Sequence, residues 1–250
     1  MKIPFEETVE VLQQLIRIPS FSGEEEKRAD KLVDYLQMKN LPLQRIHNNL
    51  IVRNQFFDQE KETILLNSHL DTVKAKENWT VDPFDPVIRE GRLFGLGSND
   101  AGGALLSLLT VFLNFYDLTD LQYNVVFIAS AEEEISGDQG ISSVLPELPG
   151  ISFGIVGEPT GMRLAVAEKG LMVLDCKARG KSGHAAREEG INAIEKAIKD
   201  IEWIRNYKFP ASSPVLGDVK MTVTVIHGGM QHNVIPDECN FVVDVRSTDT

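Results

Sequence analysis

Two stretches near the N-terminus repeat apolar residues at helical spacing. Glu6 to Ile16 carries Val9, Leu12 and Ile16, and Glu24 to Met38 carries Ala29, Leu32, Val33 and Leu36, which predicts two amphipathic helices. The breaker segment Ile18-Pro19-Ser20-Phe21-Ser22-Gly23 separates them, with Ser22 placed to cap the second. Strand-like runs follow at Leu50 to Arg53, Thr63 to Asn67, Tyr123 to Ala129 and Ser152 to Val156, with helices predicted at Gly103 to Phe115 and, shorter, at Gly140 to Leu145. This alternation predicts an α/β fold, a mixed, largely parallel sheet covered by helices on both faces. From about Leu171 the rhythm changes to strand Leu171 to Ala178, helix Ile191 to Tyr207, and strands Val219 to Ile226 and Asn240 to Val245. That order is the start of a smaller α+β module, so a division into residues 1–168 and 169–250 is expected. The chain stops at Thr248-Asp249-Thr250, straight after a strand and without the closing helix such a module wants, so the module reads as incomplete.

Composition narrows the function. With 42% apolar residues in 250, the chain can bury a substantial core. Its 37 acidic against 25 basic residues give a net charge of -12, which repels phosphate backbones and anionic lipid, so neither nucleic acid nor membrane is an expected partner. The first residues lack an apolar signal core, and the richest apolar stretch, Ala104 to Phe115, is too short to cross a bilayer; a soluble, cytoplasmic protein is expected. Cys176 and Cys239 read as free thiols, and neither has a neighbouring cysteine that would make a thiolate metal site.

Acidic residues and a histidine recur where apolar runs end. His69 and Asp71 follow the run from Thr63, Glu132, Glu133 and Glu134 follow the run ending at Ala129, and Glu158 follows the run ending at Val156. In parallel sheets ligands bind beyond the carboxyl ends of strands, and charge gathered at that boundary suits a divalent cation. Each piece also has a plainer use. His-x-Asp alone is often a structural pair, although a carboxylate behind a ligand histidine would fix its tautomer. Gly95-Leu96-Gly97-Ser98-Asn99-Asp100 begins like a dinucleotide fingerprint, but Asp100 stands where glycine is needed and would repel a pyrophosphate. The glycines could instead shape a turn delivering Asp100 to a cation, or Asp100 could simply cap the following helix. Three adjacent glutamates are commonly a solvated loop; the alternative has one bind metal while its neighbour takes a proton from an attacking water. Glu158, between Gly157 and Pro159, is either a turn residue or a carboxylate presented on a stiff loop. His184 lies among small residues, Asn233 in a glycine-rich turn, and Arg246 either clamps a substrate carboxylate or pairs with Asp244 or Asp249.

The order of these pieces decides more than any one of them. His-x-Asp, Gly-x-Gly-x-x-Asp, Glu-Glu, Gly-Glu-Pro-Thr, Gly-His, Asn-Val-Ile-Pro and Asp-Val-Arg, in that sequence, resemble the acetylornithine deacetylase, succinyl-diaminopimelate desuccinylase and aminoacylase family of metallopeptidase-like amidohydrolases. The resemblance implies a catalytic metal-binding domain at 1–168 and a lid or dimerisation domain at 169–250. It implies two zinc ions, with Co2+ or Mn2+ as alternatives: His69 and Glu158 on one, Glu134 on the other, Asp100 bridging. Asp71 would steady His69, Glu133 would be the general base, His184 would donate to the developing oxyanion, and Asn233 and Arg246 would bind an N-acyl amino acid substrate. A homodimer through the smaller module is implied as well. Glu132 departs from the aspartate usual at that position. The family's second-metal histidine comes from a distal return to the catalytic domain that this sequence ends before reaching, and His47, His227 and His232 are poor substitutes.

Overall fold

The computed structural model describes residues 2–148 and 150–248; Asp249, considered above as a partner for Arg246, lies outside the described residues. The chain divides into two compact units, Met1–Met162 and Arg163–Thr250.

In the first unit, helices α1 (Phe5–Ile16) and α2 (Glu26–Met38) lead into the strands β1 (Leu43–Ile46), β2 (Asn49–Arg53) and β3 (Thr63–His69). A small hairpin of β4 (Val87–Arg89) and β5 (Arg92–Phe94) precedes α3 (Gly103–Phe115), β6 (Asn124–Ser130) and β7 (Ile151–Val156). The five-stranded sheet has the order β1-β2-β6-β3-β7. β3 runs parallel to both β6 and β7, whereas β2 is antiparallel to β1 and to β6. The sheet is therefore mixed, and its parallel pairing is confined to the three strands whose ends carry the acidic loops.

Period-two alternation assigns the faces. Val125, Phe127 and Ala129 of β6 join Leu50, Val52 and Leu66 against α1, α2 and α3, while Val126 and Ile128 join Ile51 and Leu65 on the other side. All seven residues of β6 are buried, as a central strand covered on both faces requires. β7, at the sheet's edge, leaves its apolar side chains exposed, Phe153 at 58%. The three α-helices share one face rather than covering both. The helix expected over Gly140 to Leu145 is instead two 3-10 turns, Ile141–Ser143 and Leu145–Glu147, whose neighbours Val144 and Leu148 cover the second face. Pro146 has no N–H to extend an α-helical ladder there.

The second unit comprises β8 (Gly170–Arg179), β9 (Gly183–His184), α4 (Ala193–Asn206), β10 (Ser212–Ser213), β11 (Gly217–Asp218), β12 (Lys220–Gly228), β13 (Val234–Ile235) and β14 (Glu238–Ser247). Its main sheet is antiparallel in the order β12-β14-β8. Asn192 caps α4 by accepting from the Ile194 amide at 2.9 Å, and the fully buried Ala193 and Ala197 let the helix approach Phe241 and Val243 closely. Cys176 and Cys239 are free thiols. Among the described residues, no helix is long and apolar enough to cross a membrane.

The core of the first unit rests on Phe112, fully buried with its ring 5.9 Å from that of Tyr116 and 6.0 Å from that of Phe127. Phe112→Ala is expected to cost about 3–5 kcal/mol in urea denaturation. Phe115→Ala, on the solvent side of the same helix, is expected to change stability by less than about 1 kcal/mol. Equal losses would mean that this packing does not carry the unit.

Candidate metal centre

Because β3, β6 and β7 are parallel, their carboxyl ends open on one edge of the sheet. His69 is the last residue of β3, Glu132 to Glu134 follow β6, Glu158 follows β7, and Asp100 sits on the turn before α3. The His69 imidazole is buried. Its Nε2 lies 3.2 Å from Asp100 Oδ1 and 3.8 Å from Glu158 Oε2. Its Nδ1 faces the Asp71 carbonyl at 3.0 Å and Asp71 Oδ1 at 3.4 Å. With two acceptors behind it, Nδ1 is the nitrogen that holds the proton of the neutral ring, leaving Nε2 as donor of a lone pair. Two sets of potential ligand atoms lie within 4.8 Å of one another: those of His69, Asp100 and Glu134, and those of His69, Glu133 and Glu158. One imidazole and four carboxylates converging in this way are a donor set that fits a divalent cation.

Local sequence explains how the loops reach this edge. Gly97 takes a left-handed φ of 77°, and a Cβ there would lie 2.6 Å from Thr72 Cγ2, so only glycine makes this turn. Asp100 itself is extended, with φ −115° and ψ 99° inside the π-type turn Ser98–Gly102, and its peptide bond to Ala101 is cis. α3 has Gly102 at its N-cap and no side-chain cap, so the capping use of Asp100 is not found. Gly157 passes so near α3 that a Cβ would meet Leu108 Cδ1 at 2.8 Å. Ser68 donates its hydroxyl to the Gly157 carbonyl at 2.8 Å and so ties the loop of Glu158 to β3.

Asp71 binds the site together. One oxygen accepts from the Ser22 hydroxyl at 2.7 Å and the Glu134 amide at 3.1 Å; the other accepts from the Glu133 amide at 3.1 Å. Ser22 therefore serves Asp71 and not the start of α2, whose N-cap is Glu25 with no side-chain cap. Arg28, buried on α2, donates to the carbonyls of Leu70 at 2.9 Å and Ile18 at 2.8 Å, holding the chain that follows His69. Ser22, Glu25 and Arg28 escape a reading based on side-chain motifs, because their partners are largely backbone atoms or lie dozens of residues away.

The charges are in tension. Burial pushes the pKa of Glu158 up to about 7, with the charges of Glu133, Asp100 and Glu134 adding to it against His69. Burial and the charge of Asp100 raise Glu134 too. For His69 burial acts downward, but the hydrogen bond and charge of Asp71, with Glu158 and Glu133, prevail and carry it to about 9. Burial acts upward on Asp71, yet its bonds to His69, Ser22 and the Glu134 and Glu133 amides hold it below the usual carboxylate range. Arg28 falls to about 10 through burial, with Asp71 opposing.

His184, Asn233 and Arg246 belong to the second unit. β9 pairs with β13, placing His184 opposite Val234, and the Ala185 amide donates to the Asn233 carbonyl at 3.0 Å, so His184 and Asn233 are neighbours. His184 is exposed, and its Nδ1 accepts from the Ala186 amide at 3.1 Å. Arg246 makes a two-point pair with Asp244, at 3.0 and 3.1 Å, the plainer of its two expected uses.

The sequence matches the profile of peptidase family M20/M25/M40 over residues 65–237. It is 30% identical over 267 aligned positions to acetylornithine deacetylase of Buchnera aphidicola subsp. Schizaphis graminum, covering 96% of this chain and 68% of that protein. It is 28% identical over 236 to succinyl-diaminopimelate desuccinylase of Corynebacterium glutamicum, covering 90% and 62%. A Schizosaccharomyces pombe peptidase M20 domain-containing protein is 30% identical over 94% of this chain, which spans only 58% of that relative. Among solved structures, a tripeptidase of Staphylococcus aureus superposes with a TM-score of 0.71 at 23% identity, covering 100% of this chain and 68% of its own. A dinuclear metal-binding M20 peptidase of Bacillus subtilis gives 0.63 at 17%, covering 98% and 65%.

A cation at this centre has to displace protons. With His69 at about 9 and Glu158 at about 7, both groups hold protons at neutral pH that a metal competes with. Affinity for Zn2+ or Co2+ is therefore expected to rise between about pH 6 and pH 9, with proton release on binding. Calorimetry in buffers of different ionisation enthalpy measures both; a pH-independent affinity would exclude His69 and Glu158 as ligands.

Proposed function

Since the chain belongs to peptidase family M20/M25/M40, we propose that it hydrolyses the amide bond of an N-acyl amino acid, with acetylornithine or a close analogue as first candidate substrate. The observation that carries this reading is the convergence of the His69 imidazole with the carboxylates of Asp100, Glu133, Glu134 and Glu158. His69 and Glu158 would hold one zinc ion, Glu134 a second, and Asp100 both. Cations held there would acidify a water and polarise the amide carbonyl.

The chain's own residues supply the rest. Glu133, exposed and grouped with His69 and Glu158, would take a proton from the attacking water and pass it to the departing amine nitrogen. Asp71 would keep the proton on Nδ1 and the ring in orientation. His184 would donate to the oxyanion, and Asn233 together with Arg246, once released from Asp244, would bind the substrate carboxylate. Residues 1–168 would then be the catalytic domain and 169–250 a lid through which two copies of a cytoplasmic protein dimerise.

Two neighbouring readings have their own support. Similarity to a desuccinylase and to a tripeptidase favours succinyl-diaminopimelate or a short peptide as substrate. That the acidic cluster holds a single histidine among the described residues favours a form that binds one metal tightly without turnover.

Glu133→Ala is expected to retain bound metal and lower the hydrolysis rate by about 10²- to 10⁴-fold. Glu134→Ala is expected to lose one metal equivalent by elemental analysis. The opposite pattern would exchange their roles. Assays with acetylornithine, succinyl-diaminopimelate and simple dipeptides separate the substrates, and one metal with no turnover on any of them would favour the inactive form.

A further inference from the structure

Glu25 is fully buried at the N-cap of α2 and lies 107 residues from the segment it touches. Its Oε1 accepts from the Gly23 amide at 2.8 Å and the Glu132 amide at 3.1 Å, and its Oε2 accepts from Asn48 Nδ2 at 3.1 Å. The next two amides, of Glu133 and Glu134, go to Asp71. Two buried carboxylates thus take three successive N–H groups at the end of β6.

Glu132 has the φ that demands such a hold. At φ 53° it is left-handed, a conformation costly to a non-glycine residue unless its surroundings fix it. Its carbonyl accepts from the Gly137 amide at 2.9 Å and its carboxylate from the Gln139 amide at 3.0 Å, so those two bonds stay within one loop. The bond from its amide to Glu25 is the one that reaches another element. Release of that bond would let the loop relax toward a right-handed turn and swing the side chains of Glu133 and Glu134 away from His69.

We propose that Glu25 is a positioning residue: its buried carboxylate fixes the left-handed turn at Glu132 and thereby aims Glu133 and Glu134 into the metal centre. The inference rests on the metal-dependent reading above and concerns geometry, since neither Glu25 nor Glu132 is in the proposed ligand set.

The test uses the whole chain loaded with Co2+, whose visible spectrum reports ligand geometry, alongside amide hydrogen exchange of the 131–137 segment. Glu25→Ala is expected to weaken Co2+ binding by about ten-fold or more, alter the spectrum and speed exchange in that segment. Glu25→Gln keeps an oxygen acceptor in place and is expected to restore all three, whereas Glu25→Asp keeps the charge, withdraws the acceptor and is expected not to. Native affinity, spectrum and exchange in a folded Glu25→Ala would overturn the proposal, as would rescue by Asp and not by Gln. Should Glu25→Ala fail to fold, the Gln and Asp variants decide alone. Absence of Co2+ binding by the unmutated chain would fell the metal reading, and segment exchange in the variants would still judge the role of Glu25.

Discussion

The structure turns on a carboxylate that water barely reaches. Asp71 sits two residues beyond the end of His69's strand, and its two oxygens meet an imidazole, a hydroxyl and two backbone amides drawn from β3, the segment before α2, and the turn after β6. A buried anion is costly unless such partners surround it, and here the partners are the loops that must be brought together. Solvation of one charge and assembly of one centre are the same set of bonds. The parallel arrangement of β3, β6 and β7 makes this possible by opening three loops on one edge, and the helical face of the sheet supplies the rigidity behind them.

Outside that anchor the centre is a collection of like charges held at close range. Asp100 and Glu158 keep contact with solvent, their side chains 55% and 33% exposed, while the imidazole between them is only 1% exposed. The fold thus leaves the repelling groups partly hydrated and buries the one ring that attracts them. This gradient from a dry base to a wet rim is what a cation entering from solvent would meet: oxygen donors first, nitrogen last.

Much of this was legible along the chain. The convergence of His69, Glu133, Glu134 and Glu158 follows from the ends of apolar runs, because parallel strands bring their termini to one side, while Asp100 arrives on the glycine turn before α3. α3 has the bounds its apolar run gives. What escaped is equally physical. β1, β4 and β5 are three or four residues long and half-exposed or exposed throughout, too short for a period to show. The segment at Gly140 has apolar residues at helical spacing but a proline where an amide is needed. Ser22, Glu25 and Arg28 read as a cap and a helix start, since nothing in their immediate sequence encodes partners as distant as Asp71, Glu132 and Leu70. Individual roles within the acidic cluster are also beyond a pattern of types, because neighbouring glutamates look alike until the backbone assigns each a direction.

The left-handed residue at 132 has a consequence for how this position can vary. Its carboxylate folds over Gly137, where even a Cβ would sit 2.6 Å from the Cβ of Glu132, so bulk at 137 is barred while residue 132 carries a side chain. Related chains are then constrained by handedness: glycine, asparagine and aspartate suit such a backbone, and β-branched residues do not. An acidic triplet that looks in sequence like three equivalent donors is, in space, one residue held through its backbone and two whose carboxylates join the cluster around His69, and natural variation at the first should track backbone geometry.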